Sequence, residues 1–109
     1  MNEDINLIEL IESEVLAFGE VSRFADATLM DNLQQAALLR RDPNPSISIK
    51  NDDGIITISI EIIVYYGVNI PQLCYDIQTK VRKNLQTRTG LEIKAVNIIV
   101  DGIDSRPDN

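Results

Sequence analysis

A two-layer α+β domain, a three-stranded mixed sheet with helices packed against it, is predicted by three features of the sequence. Apolar residues recur at helical spacing near the start and again over 70–89, the period falls to two between these stretches, and turn-forming residues mark each change. The implied order is α-α-β-β-α-β. With 109 residues, 44% hydrophobic and 25% charged, the chain suits one domain over 1–109. A domain of that size buries about 65% of the surface its unfolded chain exposes. Within it we read a helical N-terminal segment (1–41), a ββαβ core (46–103) and a solvated tail (104–109).

In the first helix, from about residue 4 to 18, Ile8, Ile11, Val15 and Phe18 share a stripe flanked by Leu7, while Glu9, Glu12, Ser13 and Glu20 lie opposite. Gly19 ends it. Asp26 then caps a second helix carrying Leu29, Met30, Leu33, Ala37 and Leu38, with Arg40 and Arg41 at its negative end. Asp-Pro-Asn-Pro at 42–45 stops that helix, because each proline drives the residue before it out of the α region.

From Ser46 the alternation of Ile47 and Ile49 with serine and lysine reads as a strand, and Asn51-Asp52-Asp53-Gly54 as hairpin turn chemistry. The next strand sends Ile56, Ile58, Ile60, Ile62 and Val64 to one face. Ile55, Ile63 and Tyr65 add apolar atoms to the other face, which implies cover there by an N-terminal helix or another subunit. By the same parity Tyr66 joins the core and Tyr65 is left as an exposed anchor.

The stretch Tyr-Tyr-Gly-Val-Asn-Ile-Pro at 65–71 links this strand to a long helix. Gly67 permits a turn closed to other residues, Asn69 caps the helix with Gln72 reaching back, and Pro71 sits in the first turn. Along the helix Ile70, Leu73, Cys74, Ile77, Val81 and Leu85 form one stripe, and Gly90 closes it. A last strand from about Glu92 to Asp101 puts Val96, Ile98 and Val100 on the core face. Ile93 and Ala95 have the opposite parity, which calls for a bulge near Lys94 or a second buried face. The strand-helix-strand crossover makes the two strands it joins parallel.

Seventeen acids against ten bases give a net charge of −7, which opposes attraction to phosphate backbones and anionic membranes. Histidine is absent, which removes triads, zinc sites of the HExxH type and imidazole bases together. The five glycines have neither dinucleotide-fingerprint nor P-loop spacing, and no pair of them forms the GXXG loop of KH domains. Cys74 is either a packed thiol or a reactive one; no neighbour lowers its pKa, which favours packing. Asp52 and Asp53 with Asp101 and Asp104 could gather round a hard cation, yet the calcium-loop pattern does not occur. No catalytic group, metal or cofactor is therefore expected. One cysteine cannot pair within the chain, and MNEDINLIEL opens with acids where a signal peptide needs bases, so a cytoplasmic protein is expected. No apolar run approaches the ~20 residues of a membrane-spanning helix.

Lys80, Arg82, Lys83 and Arg88 make the long helix basic against Asp76 alone, whereas residues 1–39 hold only Arg23 among their acids. That face is either solvated, with cations favoured near the helix C-terminus, or a docking surface for an acidic partner, a second copy included. Tyr65, Gly67, Asn69, Lys80 and Lys83 are the candidate partner-binding residues.

Tyr66-Gly67-Val68, Ile70-Pro71, Thr89-Gly90-Leu91, Val96-Asn97 and Val100-Asp101-Gly102, in that order over 65–103, resemble the C-terminal half of the alkaline shock protein family of bacteria. Residues 12–45 depart from the family, which usually has a glycine-rich loop there. The resemblance implies a non-enzymatic cytoplasmic adaptor or scaffold tied to cell-envelope stress. Such a protein self-associates or is brought to the membrane by a membrane-anchored partner, and inserts no segment itself. The rival expectation is a KH-like nucleic-acid-binding module using the basic helix, which the net charge and the missing GXXG disfavour.

Overall fold

A computed structural model describes residues 3–25 and 44–107. In chain order these form α1 (Glu3–Leu16), β1 (Val21–Phe24), β2 (Ile47–Asp52), β3 (Ile55–Tyr65), α2 (Ile70–Thr89) and β4 (Glu92–Asp104). The second helix expected from Asp26 to Arg41 lies outside the described residues.

The expected three-stranded sheet has a fourth strand. β1 was hidden because Val21 and Phe24, its two buried residues, are three apart, a helical spacing. The irregular register between Val21 and Arg23 breaks the alternation that marks a strand. Among the described residues the order is accordingly α-β-β-β-α-β.

β3 is the centre of the sheet. It pairs in parallel with β4 along its whole length, as the crossover requires, and antiparallel with β2 and β1. β2 takes residues from Ile55 to Ile60, and β1 takes Ile62 to Val64. With β4 holding one edge of β3, β1 and β2 lie end to end along the other. The chain leaves that line after Phe24 and rejoins it opposite Glu61, whose N–H donates to the Ser46 carbonyl at 3.0 Å. Asn44 anchors the return: it is buried, accepts from Ser46 N–H at 2.9 Å and donates to Glu12 of α1 at 2.9 Å.

The hairpin forms as its sequence demands. Asp52 pairs with Ile55, so Asp53 and Gly54 are the two loop residues, with φ of 58° and 86°. Positive φ at both suits the right-handed twist of the flanking strands. Asn51 Oδ1 accepts from Gly54 N–H at 2.8 Å.

The core lies between one face of the sheet and the two helices. Ile56, Ile58, Ile60, Ile62 and Val64 of β3 meet Leu7, Ile8, Ile11 and Val15 of α1 and Leu73, Ile77, Val81 and Leu85 of α2. Each isoleucine there contributes about 1.5–3 kcal/mol by leaving water. Of the two alternatives for β4, a bulge or a second buried face, the bulge is present: Ile93 opposes Ile56 and Ala95 opposes Thr57, leaving Lys94 over. A second irregularity leaves Asp101 unpaired between Val100 and Gly102. α1 ends at Leu16, two residues earlier than expected, and Phe18 closes the turn by donating to Val15 O and accepting from Val21 N–H, each at 3.1 Å. The helix lies in the α2 layer, so it does not cover the opposite face of the sheet.

Candidate functional site

The strand-to-helix junction is built from the end of β3 outward. Tyr65 N–H donates to Glu20 O at 3.0 Å and Tyr66 N–H to Asp104 O at 2.8 Å, so the turn is fastened to the chain on both sides of β3. Gly67 follows with φ 93°, a left-handed conformation that side chains rarely adopt. Asn69 caps α2, its Oδ1 accepting from Gln72 N–H at 3.1 Å. Gln72 does not complete a capping box; its amide donates to Asp76 at 2.9 Å instead. At the other end Gly90, φ 74°, donates to Gln86 O at 3.0 Å.

The two tyrosines exchange the roles that parity gave them. Tyr66 is 76% exposed, and Tyr65 is half-buried beneath the Arg106 guanidinium, 4.9 Å from its ring centroid. The strand stops at Tyr65, so alternation cannot be carried to a residue already in the turn. Asp104 is likewise part of β4 rather than of the tail. It accepts from Arg23 Nε at 2.9 Å, Arg23 Nη2 at 3.1 Å and Ser22 Oγ at 2.6 Å, so that β1 and β4 are tied across the outer face of β3. These donors, Arg23 first, hold the Asp104 carboxyl below the usual carboxylate range. Residues 105–107 are exposed.

Of the two lysines proposed as contacts, Lys80 is used within the fold. Its ammonium lies 3.4 Å from the Glu14 carboxylate and 5.3 Å from the centre of the Phe18 ring, joining α2 to α1. Lys83 is exposed beside Tyr75, Thr79 and Arg82 on a shallow hollow of about 360 Å³. Fourteen residues of helix, about 21 Å, separate it from Asn69, so the five candidates do not converge on one place. Arg82, read as part of a basic surface, donates to the carbonyls of Ile93 at 2.7 Å and Lys94 at 3.3 Å, and Gln78 to Val96 O at 2.9 Å. They satisfy carbonyls beside the β4 bulge. Cys74 is half-buried and burial pushes its thiol pKa up, which disfavours the reactive thiolate.

What does converge at the junction is Tyr65, Tyr66, Gly67 and Asn69, beside a surface hollow of about 280 Å³ whose lining includes Glu20, Asp76 and Arg106. Sequence reasoning missed Glu20 and Arg106, which are far from the junction in the chain. The only signal for Glu20 was the unrecognised strand it introduces.

Residues 13–105 match the profile of the alkaline shock protein 23 family, described as having a cell envelope-related function. The chain belongs to this family. Among relatives, Spy1614 of Streptococcus pyogenes serotype M6 is 28% identical over 104 residues, covering 94% of this chain and 84% of its own. YloU of Bacillus subtilis is 29% identical over 87 residues, 79% of this chain and 71% of its own. YqhY of the same organism is 40% identical over 52 residues, 48% of this chain and 38% of its own. All three are called uncharacterized proteins. No solved structure matches the chain. As a member of the alkaline shock protein 23 family, the chain has a match reaching well upstream of residue 65, through β1, β2 and β3. Among the described residues no helix is long and apolar enough to cross a membrane.

Proposed function

We propose that this protein is a non-enzymatic adaptor of the cell envelope, acting in the cytoplasm through protein contacts made by the β3–α2 junction. Its partner is a membrane-anchored protein or a second copy of the chain. The observation that carries the reading is Tyr66: a large aromatic ring, 76% exposed, on a turn held by backbone hydrogen bonds on both sides. Exposed aromatic side chains on fixed supports are favoured contact anchors, because little conformational freedom is left to lose on binding. The family's cell envelope-related function supplies the setting. A docking role for the basic helix has less support, since Lys80 and Arg82 are already engaged within the fold. The same engagement weakens the nucleic-acid reading.

The test is crosslinking and pull-down from cells with wild type and Tyr66→Ser, alongside the solution mass of each. The variant is expected to keep its circular dichroism and melting temperature and to lose the captured partner or the higher mass. Identical capture and identical mass in the two proteins would count against the junction as the contact surface.

A further inference from the structure

The outer side of β4 is finished differently along its two halves. Among the described residues β4 pairs with β3 alone, so its other side meets no strand. Arg82 donates to the carbonyls of Ile93 and Lys94 there, and Gln78 to that of Val96. Because alternate residues of a strand turn their N–H and C=O to the same side, Ile98 and Val100 present theirs outward as Val96 does. Among the described residues no side chain bonds to either; Gln72, nearer the start of α2, gives its amide to Asp76 instead. A bulge and covering polar side chains keep an edge strand from pairing with another chain. The half from Glu92 to Val96 has both. Ile98-Ile99-Val100 beyond it has neither, is apolar throughout, and holds Ile99 40% exposed on the outer face, opposite Glu61. The bare stretch ends where Asp101 is left unpaired.

We propose that this stretch of β4 pairs antiparallel with the same stretch of a second copy, about a two-fold axis at Ile99. The free groups select the register. Centred on Ile99, Ile98 of each copy exchanges both backbone hydrogen bonds with Val100 of the other, and the two Ile99 side chains meet on the outer face. Centring on Ile98 would spend the Val96 carbonyl that Gln78 already holds, and centring on Val100 would run into the irregularity at Asp101. Charge selects a second copy as the occupant. Lys94 stands five residues before Ile99 and Asp104 five after it, so the basic end of each strand comes to the acidic end of the other, Asp101 and Asp104. Among the described residues Lys94 has no carboxylate within ion-pair distance. Parallel pairing in register would instead set like charges side by side. The axis stands perpendicular to the sheet, so the four strands of each copy join into one continuous sheet with the helices on the same face. This contact uses none of the junction residues and goes beyond the reading above.

Two measurements on the full chain test it. Sedimentation up to about 1 mM, which detects even weak association, should show the mass doubling with concentration and rising no further. Ile99→Lys places two cations at the axis and should stay at the monomer mass with its circular dichroism unchanged, while Tyr66→Ser should keep the doubling. The second measurement is crosslinking by diamide on a Cys74→Ala background. About the Ile99 axis the two Ile99 Cα atoms stand about 4.5 Å apart and Asn97 about 14 Å from its copy, whereas a disulfide needs Cα atoms within about 7 Å. Ile99→Cys should therefore link two chains and Asn97→Cys, on the same strand and face, should not. Monomer mass at every concentration would overturn the proposal, as would a doubled mass retained by Ile99→Lys or equal linking at the two positions. Growth past twice the mass would also overturn it, because a head-to-tail contact between unlike edges extends without closing. Neither measurement involves a cellular partner, so their failure is distinct from that of the Tyr66 capture experiment.

Discussion

The two faces of β3 show what the same strand can be made to do. Toward the helices, Ile58, Ile60, Ile62 and Val64 are wholly buried in a dry core. On the other side, Thr57, Ser59 and Glu61 are half-exposed, with the Arg23–Asp104 pair and the Arg106–Tyr65 stack near its far end. One face is held by packing and the other, apart from the buried Ile63 beside Gly102, by a few polar and ring contacts. Stability should therefore reside on the first, while the second is free to carry recognition.

The largest contrast is expected from neighbouring residues on opposite faces. Ile60→Ala should cost about 2–5 kcal/mol through lost burial and a cavity, and Ser59→Ala within about 0.5 kcal/mol, both measured by urea unfolding. Similar losses at the two sites would show that the outer face is packed as tightly as the inner. Next is Gly67, where nothing lies within 4 Å of an added Cβ, so any cost of Gly67→Ala is backbone strain alone. About 1–2 kcal/mol is expected from holding alanine at φ 93°, and an unchanged midpoint would mean the turn relaxes. In the helical layer, Lys80→Met should cost about 1 kcal/mol by leaving the mostly buried Glu14 carboxylate without its cation. Adding Glu14→Gln should recover part of that loss; a strictly additive double mutant would deny the coupling.

The smallest effect belongs to Asp104. Its folded pKa is depressed, so its contribution is present above the unfolded carboxylate value near 4 and is lost as pH falls through the lower folded value. Asp104→Asn should flatten the acid end of a melting-temperature profile and leave its slope near pH 7 unchanged. An unaltered acid limb would mean that the tie between β1 and β4 contributes nothing.

Local rules served well where local chemistry decides the backbone. Asp53-Gly54, Asn69 and Gly90 each do what their residue type implies, and the parity of Ile93 and Ala95 left a bulge near Lys94 or a second buried face, of which the bulge is present. Those rules failed where the outcome depended on a distant partner. Val21 and Phe24 imitate a helix because a bulge separates them, and Tyr66 was assigned by an alternation that ends one residue earlier. Neither Arg106 over Tyr65 nor Lys80 beside Glu14 has any sequence signature, since each pair is joined only by the folded layers. The junction was thus legible as a turn and a cap, whereas the charges around it were not.

β1 and β2 share one edge of β3, and the chain departs from and returns to that edge at adjacent positions. Phe24 pairs with Ile62 and the Ser46 carbonyl accepts from Glu61 N–H, so β1 and β2 together line that edge of β3 almost without a break, while β4 lines the other. The central strand therefore offers no free backbone edge to an incoming chain, and a foreign strand could extend the sheet only along the outer side of β4, β1 or β2.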